Sequence, residues 1–138
     1  MAVQPYLMFE GRCEEALEFY RKALGAEVTM LMRFGEAPIP ADQRPPGSER
    51  KIIHAAFRAG GSELLASDGH CSGKSAFGGF SLTLSTESDA QAKRWFEALA
   101  EGGEVRMPLG PTFFATSFGM LADRFGVPWM VIHAKPKP

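Results

Sequence analysis

The side chains best equipped for chemistry in this sequence are His54, His70, His133, Cys13, Cys71 and Glu63. Imidazoles, thiolates and carboxylates serve as metal ligands, nucleophiles or proton carriers, but each role needs partners held at a set geometry. His70 and Cys71 are neighbours in a glycine-containing loop. Adjacency in sequence does not aim an imidazole at a thiol, so a Cys71 nucleophile still lacks a placed base, and both residues read as solvated. His54 stands alone in a strand-like run and His133 lies near the C-terminus. A lone strand histidine is usually a hydrogen-bonded structural side chain. Glu63, near the start of another strand-like run, is expected to face water. No Gly-rich turn joins a first strand to a helix, and neither a GxSxG elbow nor a P-loop occurs. Nucleotide-binding and serine-hydrolase chemistry therefore have no motif here.

The elements that must position these residues follow from hydrophobic period. Residues 3–9, VQPYLMF, read as a strand with Pro5 at its start or edge. Residues 13–24 switch to helical period, with Cys13, Ala16, Leu17, Tyr20 and Leu24 on one face. Glu14 and Glu15 in the first turn and Arg21 and Lys22 in the last complement the helix dipole. A strand is expected over 26–34, and a hairpin over 51–58 and 62–67 turned by Ala59-Gly60-Gly61. Between them, Gly35 to Arg50 carries four prolines and reads as irregular, either a mobile surface loop or a lid.

The second half repeats the pattern. Residues 79–85 alternate, with Leu82 and Leu84 on one face and Ser81, Thr83 and Ser85 on the other. Ser88 and Gln91 form a capping-box pattern ahead of a helix whose apolar face is Ala92, Trp95, Phe96 and Leu99. Three strand-like runs follow at 104–109, 112–121 and 127–134. The halves align at an offset of 75, Tyr20 with Trp95 and Leu24 with Leu99, moving to 77 where Glu27-Val28 meets Glu104-Val105. The chain therefore reads as one α+β domain of two βαβββ modules, 1–77 and 78–138. One helix covers one face of each sheet, so two modules can join into a curved cup with the helices outside. Its concave face is a natural ligand site.

Bulk properties exclude several classes. The 138 residues carry a formal net charge of −1, which offers no attraction to nucleic acid or an anionic membrane. No apolar run approaches the ~18 residues of a membrane span. Residues 1–9 lack the basic n-region of a secretory leader. Two well-separated cysteines give little support for a disulfide and suit a reducing cytosol, so a cytoplasmic location is expected.

PYLMF, GRCEEALEFYRKALGAEV, GGSELLASD, KRWFEALAEGGEVRMPL and DRFGVPWM together span nearly the whole chain. This set resembles the PhnB-like branch of the glyoxalase/bleomycin-resistance/dioxygenase superfamily, the vicinal oxygen chelate fold. The resemblance implies paired βαβββ modules, an eight-stranded cup and a homodimer, without a settled activity. It also implies His or Glu metal ligands on the first and fourth strands of each half. Here the matching positions offer Pro5 or Tyr6, Leu65 or Ala66, Phe80 or Ser81, and Trp129 or Met130. No one-residue shift of register produces a His/Glu set, so neither a metal nor another cofactor is expected.

An apolar cup with few polar contacts would suit an apolar or aromatic ligand. The residues expected to line it are Tyr6, His54, Leu65 and Ser67 from the first half. The second half would add Ser81, Thr83, Phe113, Phe118 and Met130. Asp68 is a further candidate polar contact. The aromatic residues admit simple packing as the other reading. The expected function is metal-free binding of a small molecule. The alternatives are a glyoxalase- or dioxygenase-like enzyme with unorthodox ligands and a structural dimer with a filled cup, and whether a reaction is catalysed stays open.

Overall fold

A computed structural model describes residues 2–136 of the chain. These form two compact units, Met1–Ser75 and Ala76–Pro138. The first contains β1 (Tyr6–Met8), α1 (Cys13–Leu24), β2 (Glu27–Arg33), β3 (Ile52–Ala59) and β4 (Ser62–Ser67). The second contains β5 (Leu82–Ser85), α2 (Asp89–Ala100), β6 (Glu104–Gly110), β7 (Ala115–Ala122) and β8 (Pro128–Ala134). The sheet orders are β1-β4-β3-β2 and β5-β8-β7-β6. In each, the first strand pairs in parallel with the fourth and the other pairings are antiparallel. The α+β class and the repeated βαβββ topology are thus as the periodicity predicts.

Each helix is placed by a short list of contacts. α1 buries Cys13, Ala16, Leu17, Tyr20 and Leu24, the predicted stripe, and the Tyr20 ring stacks on Phe57 of β3 at 5.8 Å. In α2 the Ser88 hydroxyl accepts the Gln91 N–H, as a capping box requires, but the Gln91 side chain bonds the N–H of Glu87 rather than that of the cap itself. Ala92, Phe96 and Leu99 are buried, whereas Trp95 is only half-buried. A Cβ on Gly119 would lie 2.6 Å from the Phe96 ring, so β7 approaches α2 more closely than a larger residue allows.

Several predicted boundaries move for identifiable reasons. β1 begins at Tyr6, because Pro5 has no N–H for a ladder and contributes only its carbonyl, to the Leu65 N–H. β5 begins at Leu82 rather than 79, after Gly79 with φ of 74°. β7 begins at Ala115 because the Thr112 hydroxyl accepts the N–H groups of Phe114 and Ala115 and holds a turn there. The 35–50 segment contains short 3₁₀ turns at Phe34–Glu36 and Ala41–Gln43. It is tied to its own unit by Gly35 N–H to the Glu49 carbonyl and by the Arg44 guanidinium to the carbonyls of Ala37 and Ile39.

Asp68, one residue past β4, is 1% exposed. One of its carboxylate oxygens accepts the N–H groups of Gly11 at 2.9 Å and Cys13 at 2.7 Å, and the other accepts that of Ile52 at 2.7 Å. It joins the start of α1, the start of β3 and the end of β4. Asp68 is therefore structural and not the ligand contact that its position in LLASD suggests. Asp68→Ala leaves three buried donors unpaired, each costing about 1–3 kcal/mol. Chemical denaturation is expected to show a loss of roughly 3 kcal/mol or more; a loss under about 0.5 kcal/mol, typical of a surface substitution, would refute this role.

Candidate functional site

Strand alternation and register assign every side chain to one of two faces. In the first sheet Phe57 stacks on α1, so Leu7, Ala55, Phe57 and Ala66 face the helix. Tyr6, Met8, His54, Ala56, Leu65 and Ser67 then share the opposite, helix-free face, with Met30 and Met32 from β2. In the second sheet Gly119 faces Phe96 of α2, and Trp129 points inward, where its indole N–H bonds the Asp123 carboxylate at 2.9 Å. Phe118, Met120, Met130 and Thr83 lie on the helix-free face, with Met107 from β6.

Of the nine residues predicted to line a site, Tyr6, His54, Leu65 and Ser67 therefore come together on one sheet face. Thr83, Phe118 and Met130 come together on the helix-free face of the other sheet. Ser81 lies just before β5, outside the ladder. Phe113 is in the turn before β7, 90% exposed, with its ring edge-on to Phe114. The turn set by Thr112 removes it from the strand on which the sequence pattern put it.

Apart from Met130, the methionines are what sequence reasoning missed. All six methionines among the described residues lie on helix-free faces: Met8, Met30 and Met32 on the first sheet, Met107, Met120 and Met130 on the second. Met107 is the direct partner of Met120, Met120 of Met130, and Met130 of Thr83, so three thioethers and a hydroxyl cross the second sheet in one row. The alternation Met30-Leu31-Met32 along one strand is a visible signal, but only cross-strand register aligns the rest.

Polar groups on these faces are sparse. The Tyr6 hydroxyl lies 2.7 Å from Nδ1 of His54, with ring centroids 5.4 Å apart. Burial raises the Tyr6 phenol above its ordinary value, partly offset by a hydrogen bond with Ser67. The Ser67 hydroxyl also accepts the Gly69 N–H at 2.8 Å. His133 has its Nδ1 3.0 Å from the Thr86 carbonyl, which gives it a structural partner. His70 is exposed, and its backbone N–H, not its ring, bonds Glu10.

Of the strand positions at which the superfamily resemblance implies metal ligands, three present Tyr6, Leu65 and Met130 to the helix-free faces; the fourth, Phe80 or Ser81, falls before β5, and the β5 residue paired with Met130 is Thr83. A phenol, an isobutyl group, a hydroxyl and a thioether do not make the imidazole and carboxylate set that a divalent iron, zinc, nickel or manganese ion takes. No group of three or more His, Cys, Asp or Glu is disposed to hold a metal among the described residues. The residues present do not fit that metal.

A separate groove of about 600 Å³ runs between α2 and β6, lined by Phe96, Val105, Leu109 and Asp89 among others. The Asp89 carboxylate accepts the hydroxyls of Thr116 and Ser117 at 2.7 and 2.6 Å, and those bonds hold its pKa below the usual range. None of the nine predicted residues lines it.

The chain matches the 3-demethylubiquinone-9 3-methyltransferase family over residues 1–132. It is 39% identical to protein YjdN of Escherichia coli, covering 100% of this chain and 99% of that one. The crystal structure of PA1353 from Pseudomonas aeruginosa is 45% identical, with a TM-score of 0.84 and 99% of each chain covered. A PhnB protein from Bacillus cereus is 32% identical, with a TM-score of 0.80 over 97% of this chain and 100% of its own. More distant solved structures extend the fold to glyoxalase/bleomycin-resistance and fosfomycin-resistance proteins.

Neither thiol is activated. Burial pushes the Cys13 thiol far up, and Asp68 and Glu14 add to it; Cys13 is 0% exposed. Burial also raises the half-buried Cys71 thiol, with the Asp68 charge adding to it. A raised pKa leaves less thiolate at neutral pH than an ordinary cysteine has. Ellman's reagent near pH 7 is expected to label Cys71 slowly, faster as pH rises, and Cys13 only on unfolding. Prompt labelling of Cys71 near neutrality would restore it as a candidate nucleophile.

Proposed function

We propose that this chain, which belongs to the 3-demethylubiquinone-9 3-methyltransferase family and its PhnB-like branch, binds a small apolar or aromatic molecule on its helix-free sheet faces without the superfamily metal. The observation that carries this is the placement of all six described methionines on those faces. Methionine is flexible and polarizable and favours the edges of aromatic rings, so a surface built from it adapts to an apolar ligand. Ser67, Tyr6 and His54 are the few polar contacts that the first face offers to orient one, and Thr83 is that of the second. The family description names a methyltransferase, but each unit here is a four-stranded mixed sheet with one helix. The doubly wound parallel sheet that usually carries a nucleotide cofactor is a different architecture.

A panel of aromatic compounds and antibiotics is expected to contain members that raise the thermal midpoint. Met32→Glu on the first face together with Met120→Glu on the second, each setting a carboxylate among the thioethers, is expected to abolish that rise while leaving the far-UV spectrum unchanged. No stabilisation by any compound would count against the binding reading. Stoichiometric iron, zinc or nickel in protein purified without chelator would overturn its metal-free part.

A homodimer is the second element of the proposal. Val28, Met30 and Leu31 on edge strand β2, and Val105 and Met107 on edge strand β6, are all at least 38% exposed. Apolar edges of this kind call for cover. Both strands also carry a register shift, between Val28 and Met30 and between Val105 and Met107, which disfavours simple edge-to-edge pairing. Packing of side chains against a second copy is then the better cover. Light scattering is expected to give twice the chain mass, with Leu31→Lys and Val105→Lys shifting it toward monomer; a monomer at high micromolar concentration would end this part. Two unpaired thiols support a reducing, cytoplasmic setting.

A further inference from the structure

Resting on the aromatic-binding reading above, we propose that the Tyr6–His54 pair recognises a ring hydroxyl, so that the ligand class is a hydroxylated aromatic compound. The pair spans β1 and β3 across the intervening β4, over a bed of Leu65 and Ala56 flanked by Met8 and Met32. Its 2.7 Å contact uses Nδ1 of His54. Nε2 of His54 has no hydrogen-bond partner among the described residues; what sets this ring apart from His133 is that its Nδ1 partner is a rotatable hydroxyl rather than a fixed backbone carbonyl.

A hydroxyl rotor beside a neutral imidazole has two settings. Tyr6 donates to Nδ1, and the ring proton sits on Nε2 as a donor. Alternatively Tyr6 accepts from Nδ1–H, and Nε2 presents a lone pair. The same atom therefore either gives or takes a hydrogen bond, with the contact to Tyr6 kept in both settings. A hydroxyl is the ligand group that matches both settings.

Charge on the face argues against an anionic ligand. Arg58, four residues along β3 from His54, has Glu27 and Glu63 as its direct cross-strand partners, so the nearest cation of this strand stands between two carboxylates. Glu63 is further engaged by the Gln4 amide at 2.8 Å. The groups that face His54 from neighbouring strands are the Tyr6 phenol, the Ser67 hydroxyl and the Met32 thioether, none of them cationic. A carboxylate or phosphate would be desolvated here without a counter-charge. A neutral hydroxyl on a flat apolar ring fits the bed and the donor.

The test compares 2-naphthol with 2-methoxynaphthalene, the same ring with its hydroxyl capped, by fluorescence titration of the full chain near neutral pH. The wild type is expected to prefer 2-naphthol by about tenfold, the worth of one good hydrogen bond. His54→Gln is expected to remove the preference while keeping the affinity for 2-methoxynaphthalene, and Tyr6→Phe to reduce it several-fold. His54→Asn serves as a second variant, and unchanged unfolding midpoints confirm that the fold is intact. Equal wild-type affinities for the two compounds would overturn hydroxyl recognition and leave aromatic binding standing. A preference that survives in His54→Gln and Tyr6→Phe would overturn the role of the pair. Failure to bind either compound would remove the aromatic reading and this inference together.

Discussion

The Asp68 carboxylate is the interaction on which the first unit depends. A buried carboxylate is costly unless several donors converge on it, and here three backbone N–H groups do. The donors come from two stretches of chain, Gly11 and Cys13 at the start of α1 and Ile52 at the start of β3, so one side chain past β4 sets where α1 begins relative to β3 and β4. The Asp68 N–H also bonds the Ile52 carbonyl, which makes the link to β3 reciprocal. In the second unit the buried Asp123 acts differently, accepting the N–H groups of Phe125 and Val127 and the Trp129 indole. There it fixes the β7–β8 turn, and the approach of α2 rests on Gly119 and the Phe96 ring. Two repeated topologies are thus stabilised by different local devices.

Once a helix is fixed on one face of a four-stranded sheet, the other face is determined by alternation. The helix side takes close-packing residues such as Ala55, Phe57, Leu121 and Val131, all nearly inaccessible. The opposite side takes methionine, threonine, tyrosine and histidine. That division separates rigid shape from adaptable surface within a single strand. β7 shows it most plainly, since Gly119 cannot grow by one methyl group while Met120 beside it is only partly buried. A face of thioethers keeps an apolar character while allowing each side chain to change rotamer. These faces are therefore apolar with few hydroxyl and imidazole groups, and the two cysteines, with raised thiols, do not alter that.

Membership of a family described as a methyltransferase sits beside a fold shared with glyoxalase/bleomycin-resistance proteins. Folds of this kind host unrelated activities, so function has to be argued from the side chains on the scaffold. At the strand positions of interest those side chains are a phenol, an alkyl group and a thioether, with Phe80 and Ser81 lying just before β5.

The sequence by itself determined the elements and their repetition. Helical period over Cys13 to Leu24, the Ser88 cap, the Gly60-Gly61 hairpin with φ of 60° and 85°, and the 75–77 offset are local or nearly local signals. It also determined which residue types stand on the strands, hence the poverty of imidazole and carboxylate there. Which of Pro5 or Tyr6, or of Trp129 or Met130, turns to the helix-free face was undecided, because a one-residue slip inverts every side chain of a strand. Only tertiary structure decided it, through ladder register and the position of each helix. The same register aligned Met107, Met120 and Met130, which lie 13 and 10 residues apart in the chain, and set Tyr6 against His54 across 48 residues. It moved Asp68 from candidate ligand contact to buried anchor, because its three donors come from segments that only folding brings together.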